Sequence, residues 1–360
     1  MFKRLLSRVN RTPSLVPAAP SRATLESLEK RTLLHNPHVI AVSADNRGEV
    51  FITLDSDSSE LSSSTFNKNS VQMYEAGPNG HLGDADDVRV AASVRYTPSN
   101  QRVLVRGPVT AGNGYRVKIV SSRISVPDPF GFDGEFNGTF PSGNGTAGGN
   151  FEFQVKNDKS TTPTVRMSTS AGTINLKMRA DVAPKSVKNF MAYANSGRYD
   201  NVFFTRSVSN FIIQGGSLQI SGDGQQPADI VETATFAAVQ NEFNISNKRG
   251  TIALAKQGGD PNSGTNQFFF NLGDNASNLD TQNGGFTVFA QVKDSASLGV
   301  MDSIAGKTPV DLSSQMGPFS STDISTVPVN NATLAQAGLN PNRDLITIRR
   351  VAQISKVAAL

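Results

Sequence analysis

Arg206 stands between two apolar runs, Val202–Phe204 and Phe211–Ile213, and Gln214, Gly215 and Gly216 follow the second run. A guanidinium beside so much Phe and Ile is expensive to desolvate unless something needs it there. A lone arginine at a strand edge otherwise snorkels to water over its own stem. A used one is a planar fork of N–H donors with no proton to exchange. In Gln267-Phe268-Phe269-Phe270, strand alternation puts Gln267 and Phe269 on one face and leaves Phe268 and Phe270 for the core. Covalent chemistry has little to work with. There is no Cys, which excludes thiolate nucleophiles, disulfides and zinc ribbons. The three histidines, His35, His38 and His81, all lie in the first quarter, so the C-terminal half has no Ser-His-Asp triad and no histidine-ligated metal. Whatever that half does, it does without a nucleophile–base pair.

The elements that must hold these residues follow from local pattern. The two apolar runs are short buried strands around a polar loop. Ahead of them, Thr164–Met167 and Thr173–Met178 form a strand pair turned at Ser170-Ala171-Gly172. A helix follows, with Pro184 in its first turn, Val187, Phe190, Met191 and Ala194 on one face, and Gly197 as the stop. Residues 217–239 are polar and rich in Gly and Gln, which predicts loop and sheet edge. Residues 248–256 lead into a buried strand, 258–266 turn, and Gln267–Phe270 is the next strand. Leu298, Met301 and Ile304 mark a second short helix over 294–305, ended by Gly306. Pro309, Pro318, Pro328 and Pro341 prevent regular structure of any length across the polar stretch 307–342, and Leu345–Ile348 returns as a closing strand.

The length of 360 residues suggests two domains, or one with appendages. The net charge of +4 is concentrated: residues 1–36 carry seven Lys and Arg against two Glu, leaving the rest of the chain near −1. A basic leader on a near-neutral body argues against nucleic-acid binding. No run approaches the roughly eighteen apolar residues of a transmembrane segment. Pro13, Pro17 and Pro20 stop any long helix in the leader, 1–36, which is expected to be disordered. From 37 to 157, apolar alternation in runs such as Val50–Leu54 and Tyr115–Val120, punctuated by turn clusters, predicts an immunoglobulin-like β-sandwich. Nothing in it converges chemically, and Asp84, Asp86 and Asp87 lack the spacing of a calcium loop, so they read as an exposed turn. Residues 137–150 read as a flexible loop and 158–163 as the interdomain linker.

Several separated segments, in order, resemble the cyclophilins, the peptidyl-prolyl cis-trans isomerases, of bacterial type. They are the central stretch around Arg206, the helix and strand from Ala183-Pro184-Lys185 to Val202-Phe203-Phe204, the segment Lys248–Phe270, and Leu279-Asp280 with Gly284–Phe289. The leader segment Leu25–Leu34 resembles the Leu-Glu-Pro-Arg-x-Leu-Leu motif of large exported bacterial proteins, with Lys30 in place of its proline. The fold class implied is mainly β: a closed eight-stranded barrel capped by two helices over 164–360, preceded by the sandwich. A barrel this small is filled by side chains, so its site must lie on the outer face.

The resemblance implies prolyl isomerisation without metal or cofactor, with Arg206 as the catalytic guanidinium and Gln214 orienting the substrate backbone. Phe211, Ile212, Phe269, Leu279 and Phe286 would form the apolar part of the site. Ala255, Lys256 and Gln257 would flank the peptide, and Gln267 would help hold it. The implied partners are proline-containing peptides and unfolded protein segments, bound by a monomer. Asn278 stands where many eukaryotic members have Trp, Phe286 where they have His, and Ile212 where Met is usual, which implies weak or no cyclosporin binding. Asn210 stands where the family commonly has Gly, a position Asn can fill because it tolerates the left-handed conformation. Leader and sandwich together imply an exported or cell-envelope protein, with the cytoplasm as the alternative. A second functional reading is a surface-displayed proline-peptide binding or chaperone module with weak catalysis.

Overall fold

Alternation in Tyr115-Arg116-Val117-Lys118-Ile119 buries every second side chain, and the same period builds the whole N-terminal body. The computed structural model describes residues 36–360 except 56–60, 112, 127–129, 157–158, 161, 317–318 and 320–323; the leader expected over 1–36 falls almost wholly outside them. Strands β1 (Val39–Asp45), β2 (Glu49–Leu54), β5 (Ser93–Thr97) and β6 (Arg102–Arg106) form one antiparallel sheet in the order β5-β6-β2-β1. Strands β3 (Val71–Glu75), β4 (Val88–Val90), β7 (Tyr115–Ile119) and β8 (Phe151–Lys156) form a second in the order β4-β3-β7-β8. Val50, Ile52, Val103 and Val105 from the first meet Met73, Val117 and Phe153 from the second in one core. Residues 137–150, expected as a flexible loop, are tied down. The Asp133 carboxylate accepts from the backbone N–H of Asn144 at 3.0 Å and of Gly145 at 2.8 Å. The ring of Phe136 lies 5.2 Å from that of Phe151.

The second body is a closed barrel. Its strands are β9 (Thr164–Thr169), β10 (Gly172–Met178), β11 (Val202–Val208), β12 (Ile212–Ile220), β14 (Thr251–Leu254), β15 (Phe268–Asn271), β16 (Val288–Val292) and β19 (Thr347–Ala358). Antiparallel ladders run β9-β10-β16-β14-β15-β12-β11-β19 and back to β9, so eight strands close without an edge. A short β13 (Ile230–Glu232) pairs with β12, which runs on to Ile220 into the stretch expected as loop and sheet edge. Helix α1 (Pro184–Ser196) starts at its proline and stops at Gly197, whose φ of 76° is the left-handed cap that glycine adopts freely. It buries Val187, Phe190 and Ala194 in the barrel core, together with Tyr193, which the apolar periodicity passed over. A four-residue turn of helix, α2 (Ala276–Leu279), precedes β16, and α3 (Ser295–Ala305), capped by Asp294, buries Met301 and Ile304.

Two features depart from the sequence reading. The stretch 307–342 is not merely irregular. It contains β17 (Pro309–Val310), β18 (Val327–Pro328), α4 (Ala332–Ala337) and α5 (Pro341–Asp344). Val310, Leu312, Met316, Ile324 and Val327 form a separate apolar cluster there, packed on Phe203, Leu218 and Ile220 of the barrel's outer face. The prolines do stop long elements, but apolar side chains at irregular spacing still bury together.

The second departure is β19. Its first half closes the barrel against β9 and β11, while its end pairs with β1 (Ala44 opposite Ser355) and with β8 (Val155 opposite Val357). One strand therefore serves the barrel and both sheets of the sandwich. Beside it, Arg350 donates to both oxygens of the buried Asp45 at 3.0 and 3.1 Å. Arg47 donates to Asp200 at 2.8 and 2.6 Å and to the Val351 carbonyl at 3.2 Å. The chain passes from one body to the other between the end of β8 and the start of β9, and β19 makes a second crossing.

Candidate active site

Alternation alone would turn Arg206 inward. Val202 and Phe204 lie in the barrel core, and the next residue in phase is 206. Phe204 faces Gly215 across the ladder, but Arg206 faces Gln214, so Thr205 is an extra residue, a bulge. The one-residue slip puts Arg206 on the outer face, a common use of bulges next to functional sites. The following turn reverses the chain through Asn210 at φ 57°, the left-handed conformation the sequence anticipated. Gly216, at φ 109°, lets the Asn266 carbonyl come so near that an added Cβ would lie 2.3 Å from it.

Arg206 opens onto a groove of about 650 Å³ on the barrel's outside, and the other ten residues singled out in the sequence line the same groove. Phe269 lies opposite Gln214 on β15, so Arg206, Gln214 and Phe269 form one row across three strands. Ile212, Phe269 and Leu279 are almost fully buried in an outer apolar cluster with Ala253 and Val288, and Phe211, Ala255 and Phe286 pack against it. The Phe286 ring meets Phe269 edge-on at 5.6 Å. Phe268 and Phe270 point into the barrel core, as alternation requires.

The polar groups divide by engagement. Gln214 Nε2 donates to Gln267 Oε1 at 2.8 Å, so the two glutamines brace each other. Among the described residues no acceptor is bonded to the Arg206 guanidinium, although it sits in a row of neighbours. That leaves its donors for whatever enters the groove. Lys256 differs from the sequence expectation in detail. It lines the groove, but its ammonium donates to the carbonyls of Asn283 (2.8 Å) and Gly285 (2.7 Å) and to Asn241 Oδ1 (3.2 Å). Burial pushes its pKa down to about 8, against a small opposing pull from Asp260. Ser263, Thr265, Asn278 and Gln282 also line the groove. Of these, sequence reasoning singled out only Asn278, as a departure from the family; Ser263, Thr265 and Gln282 lie in stretches with no periodic signal.

The matches to known proteins fall on this same domain. A family model described as cyclophilin type peptidyl-prolyl cis-trans isomerase matches residues 164–329. The isomerase cyp18 of Streptomyces antibioticus is 42% identical over 149 residues, covering 40% of this chain and 83% of that protein. The chain belongs to the cyclophilin-type peptidyl-prolyl isomerases. Isomerase B of Escherichia coli is 38% identical over 148 residues, covering 39% of this chain and 84% of its own. An isomerase of Acinetobacter baylyi is 35% identical over 144 residues, 39% of this chain and 71% of that one. The activity of the cyclophilin domain is therefore peptidyl-prolyl cis-trans isomerisation. Its groove suits that reaction: one side is an apolar wall, and the other carries a guanidinium with no bonded acceptor among the described residues.

Proposed function

We propose that this cyclophilin domain rotates X-Pro bonds without a covalent step, by holding the ring on the apolar wall and donating from Arg206. The uncatalysed barrier is about 18–20 kcal/mol, and around a hundred turnovers per second requires lowering it by roughly 5 kcal/mol. In the twisted peptide the amide loses its resonance, and the pyramidal proline nitrogen becomes a hydrogen-bond acceptor. A guanidinium that donates to it binds the twisted state better than either planar isomer. One charged hydrogen bond supplies about 1.5–3 kcal/mol. The remainder comes from the dry wall of Phe211, Ile212, Phe269, Leu279 and Phe286, which fixes the ring while the preceding residue turns. Gln214, braced by Gln267, is placed to orient the substrate backbone, with Ala255 and Gln257 flanking it.

The observation that carries this reading is the Arg206 fork, unbonded among the described residues, two strands away from the buried Phe269. Its test is Arg206→Lys, assayed by NMR exchange on an X-Pro peptide. The charge stays but the planar fork is lost. We expect kcat/KM to fall roughly tenfold to a thousandfold, about 1.4–4 kcal/mol, with little change in Tm. Wild-type turnover in this variant would remove Arg206 from the mechanism.

The substrates that fit are proline-containing peptides and unfolded segments, taken by a monomer, with little or no cyclosporin affinity because Asn278, Phe286 and Ile212 replace the usual groups. We read the N-terminal body as immunoglobulin-like. In chain order its strands fall into A-B-E-D and C′-C-F-G sheets, the order of that fold. Together with the basic leader it supports an exported or envelope-associated isomerase, which cell fractionation would test.

A further inference from the structure

The loop that carries Phe286 is held in an unusual electrostatic arrangement. The carbonyls of Asn283, Gly284 and Gly285 are all engaged by the same small group of side chains. Gly284 O accepts from Asn241 Nδ2 at 2.8 Å, and the other two accept from Lys256 Nζ at 2.8 and 2.7 Å. Asn283 Nδ2 returns to the Gln257 carbonyl at 2.8 Å, tying the loop to the residue after the lysine. Consecutive carbonyl oxygens crowded together repel one another unless a cation or donors lie between them. Here the resident cation is Lys256, and its third bond goes to Asn241 Oδ1. The same ammonium lies 4.8 Å from the centre of the Phe286 ring. All three of its N–H donors are spent inside the protein, so it has none left for a peptide.

We propose that Lys256 is a positioning residue: its ammonium clamps the 282–286 loop closed and so holds Phe286 in the wall of the proline groove. The proposal rests on the groove being the substrate site, and it concerns binding rather than the rotation step. It also makes the wall sensitive to alkaline pH. A neutral amine has two N–H donors and a lone pair, so one of three acceptors must be released and the pull on the Phe286 ring is lost. That change falls near pH 8, where the lowered pKa of Lys256 lies. Asp260 is the charged group acting on the ammonium from the 257–266 turn. The 282–286 loop carries no titratable residue. From the neighbouring segment, Glu242 is turned to the start of α1, where it accepts from Ser186. Asp280 is held by Ser246 and Asn247, and Arg206 lines the same groove.

If the clamp acts in this way, KM and stability should both rise with pH, a combination that a purely structural lysine would not produce. With a folded pKa of about 8 against 10.5 for the free side chain, the unfolded chain binds more protons between those values. Stability at this residue therefore rises with pH across that window while the clamp loosens. The test is NMR exchange on a peptide without titratable groups, from about pH 6.5 to about pH 10, on wild type, Lys256→Met, Lys256→Arg and Phe286→Ala. In wild type we expect KM to rise about three- to tenfold through an apparent pKa near 8, with kcat nearly constant. Lys256→Met should show the raised KM at every pH. Lys256→Arg, which stays charged, should lose the alkaline step whatever its starting level. A wild-type KM that is flat across the range, or an unchanged step in Lys256→Arg, overturns the clamp even if Lys256→Met fails to fold. If Phe286→Ala leaves KM unchanged, the groove reading fails instead, which separates the two.

Discussion

Phe269 is almost fully buried on the outer face, in the wall and not in the barrel core, and it touches both the site and the fold. In the proposed mechanism it would hold the proline ring in planar and twisted states alike, so its loss should act on KM as well as kcat. Phe269→Ala should lower kcat/KM about a hundredfold and also cost roughly 3 kcal/mol of stability, because an aromatic cavity is left between Ile212 and Leu279. Melting and kinetics measured on the same preparation distinguish it from Arg206→Lys, which should leave Tm alone. At this scale the sequence was informative where a strand keeps its period. The opposite faces of Phe268, Phe269 and Phe270 follow from alternation, and the structure shows them. The facing of Arg206 could not be read that way. It depends on a bulge at Thr205, one extra residue that no composition or period marks. The resemblance assigned Arg206 to the site without saying how it would face outward; in the structure it lines the groove because of the bulge.

Between elements, the segment after α3 matters most. Ser207 N–H donates to the Thr326 carbonyl at 2.8 Å, and Thr326 bridges to Arg206 itself. The segment around Thr326 therefore lies along β11 beside Arg206, on the edge opposite β12. Its own cluster holds it there, with Leu312 fully buried and donating through its N–H to the Ile324 carbonyl at 3.1 Å. Leu312→Ala should cost about 2–5 kcal/mol. If the segment positions Arg206, kcat should fall severalfold at temperatures where the variant is still folded, with KM nearly unchanged; equal kcat in both proteins would show that the segment only adds stability. This segment was the least legible in the sequence. Its apolar residues follow neither period two nor 3.6, so nothing distinguished a packed irregular segment from a polar loop. Helices α1 and α3, with proline or aspartate at one end, glycine at the other and one apolar face, were legible almost to the residue.

Across the whole molecule, the shared strand changes what a domain boundary means. Sequence reasoning expected a single linker at 158–163, and it had no signal for β19 continuing from barrel into sandwich. Gln353–Ala358 alternates no differently from Thr347–Ala352, and partners distant in sequence decide which sheet a strand joins. The seam beside it is polar and buried. Asp45 accepts from Arg350, and Asn46 donates to Asn195 Oδ1 at 2.9 Å and exchanges bonds with Gln353. None of the groove's lining residues comes from the sandwich. The barrel alone, from about residue 163, should thus keep its eight-strand closure and a kcat/KM within about threefold of the full chain. It should nevertheless melt earlier, because the end of β19 loses both partners and Asp200 loses Arg47. In the full chain, Arg350→Met leaves Asp45 buried with only backbone donors. We expect it to cost about 3–5 kcal/mol and to lower a single calorimetric transition that reports both bodies. Two separate transitions in the wild type, the upper matching the isolated barrel, would mean that β19 and the Asp45–Arg350 pair do not couple the bodies.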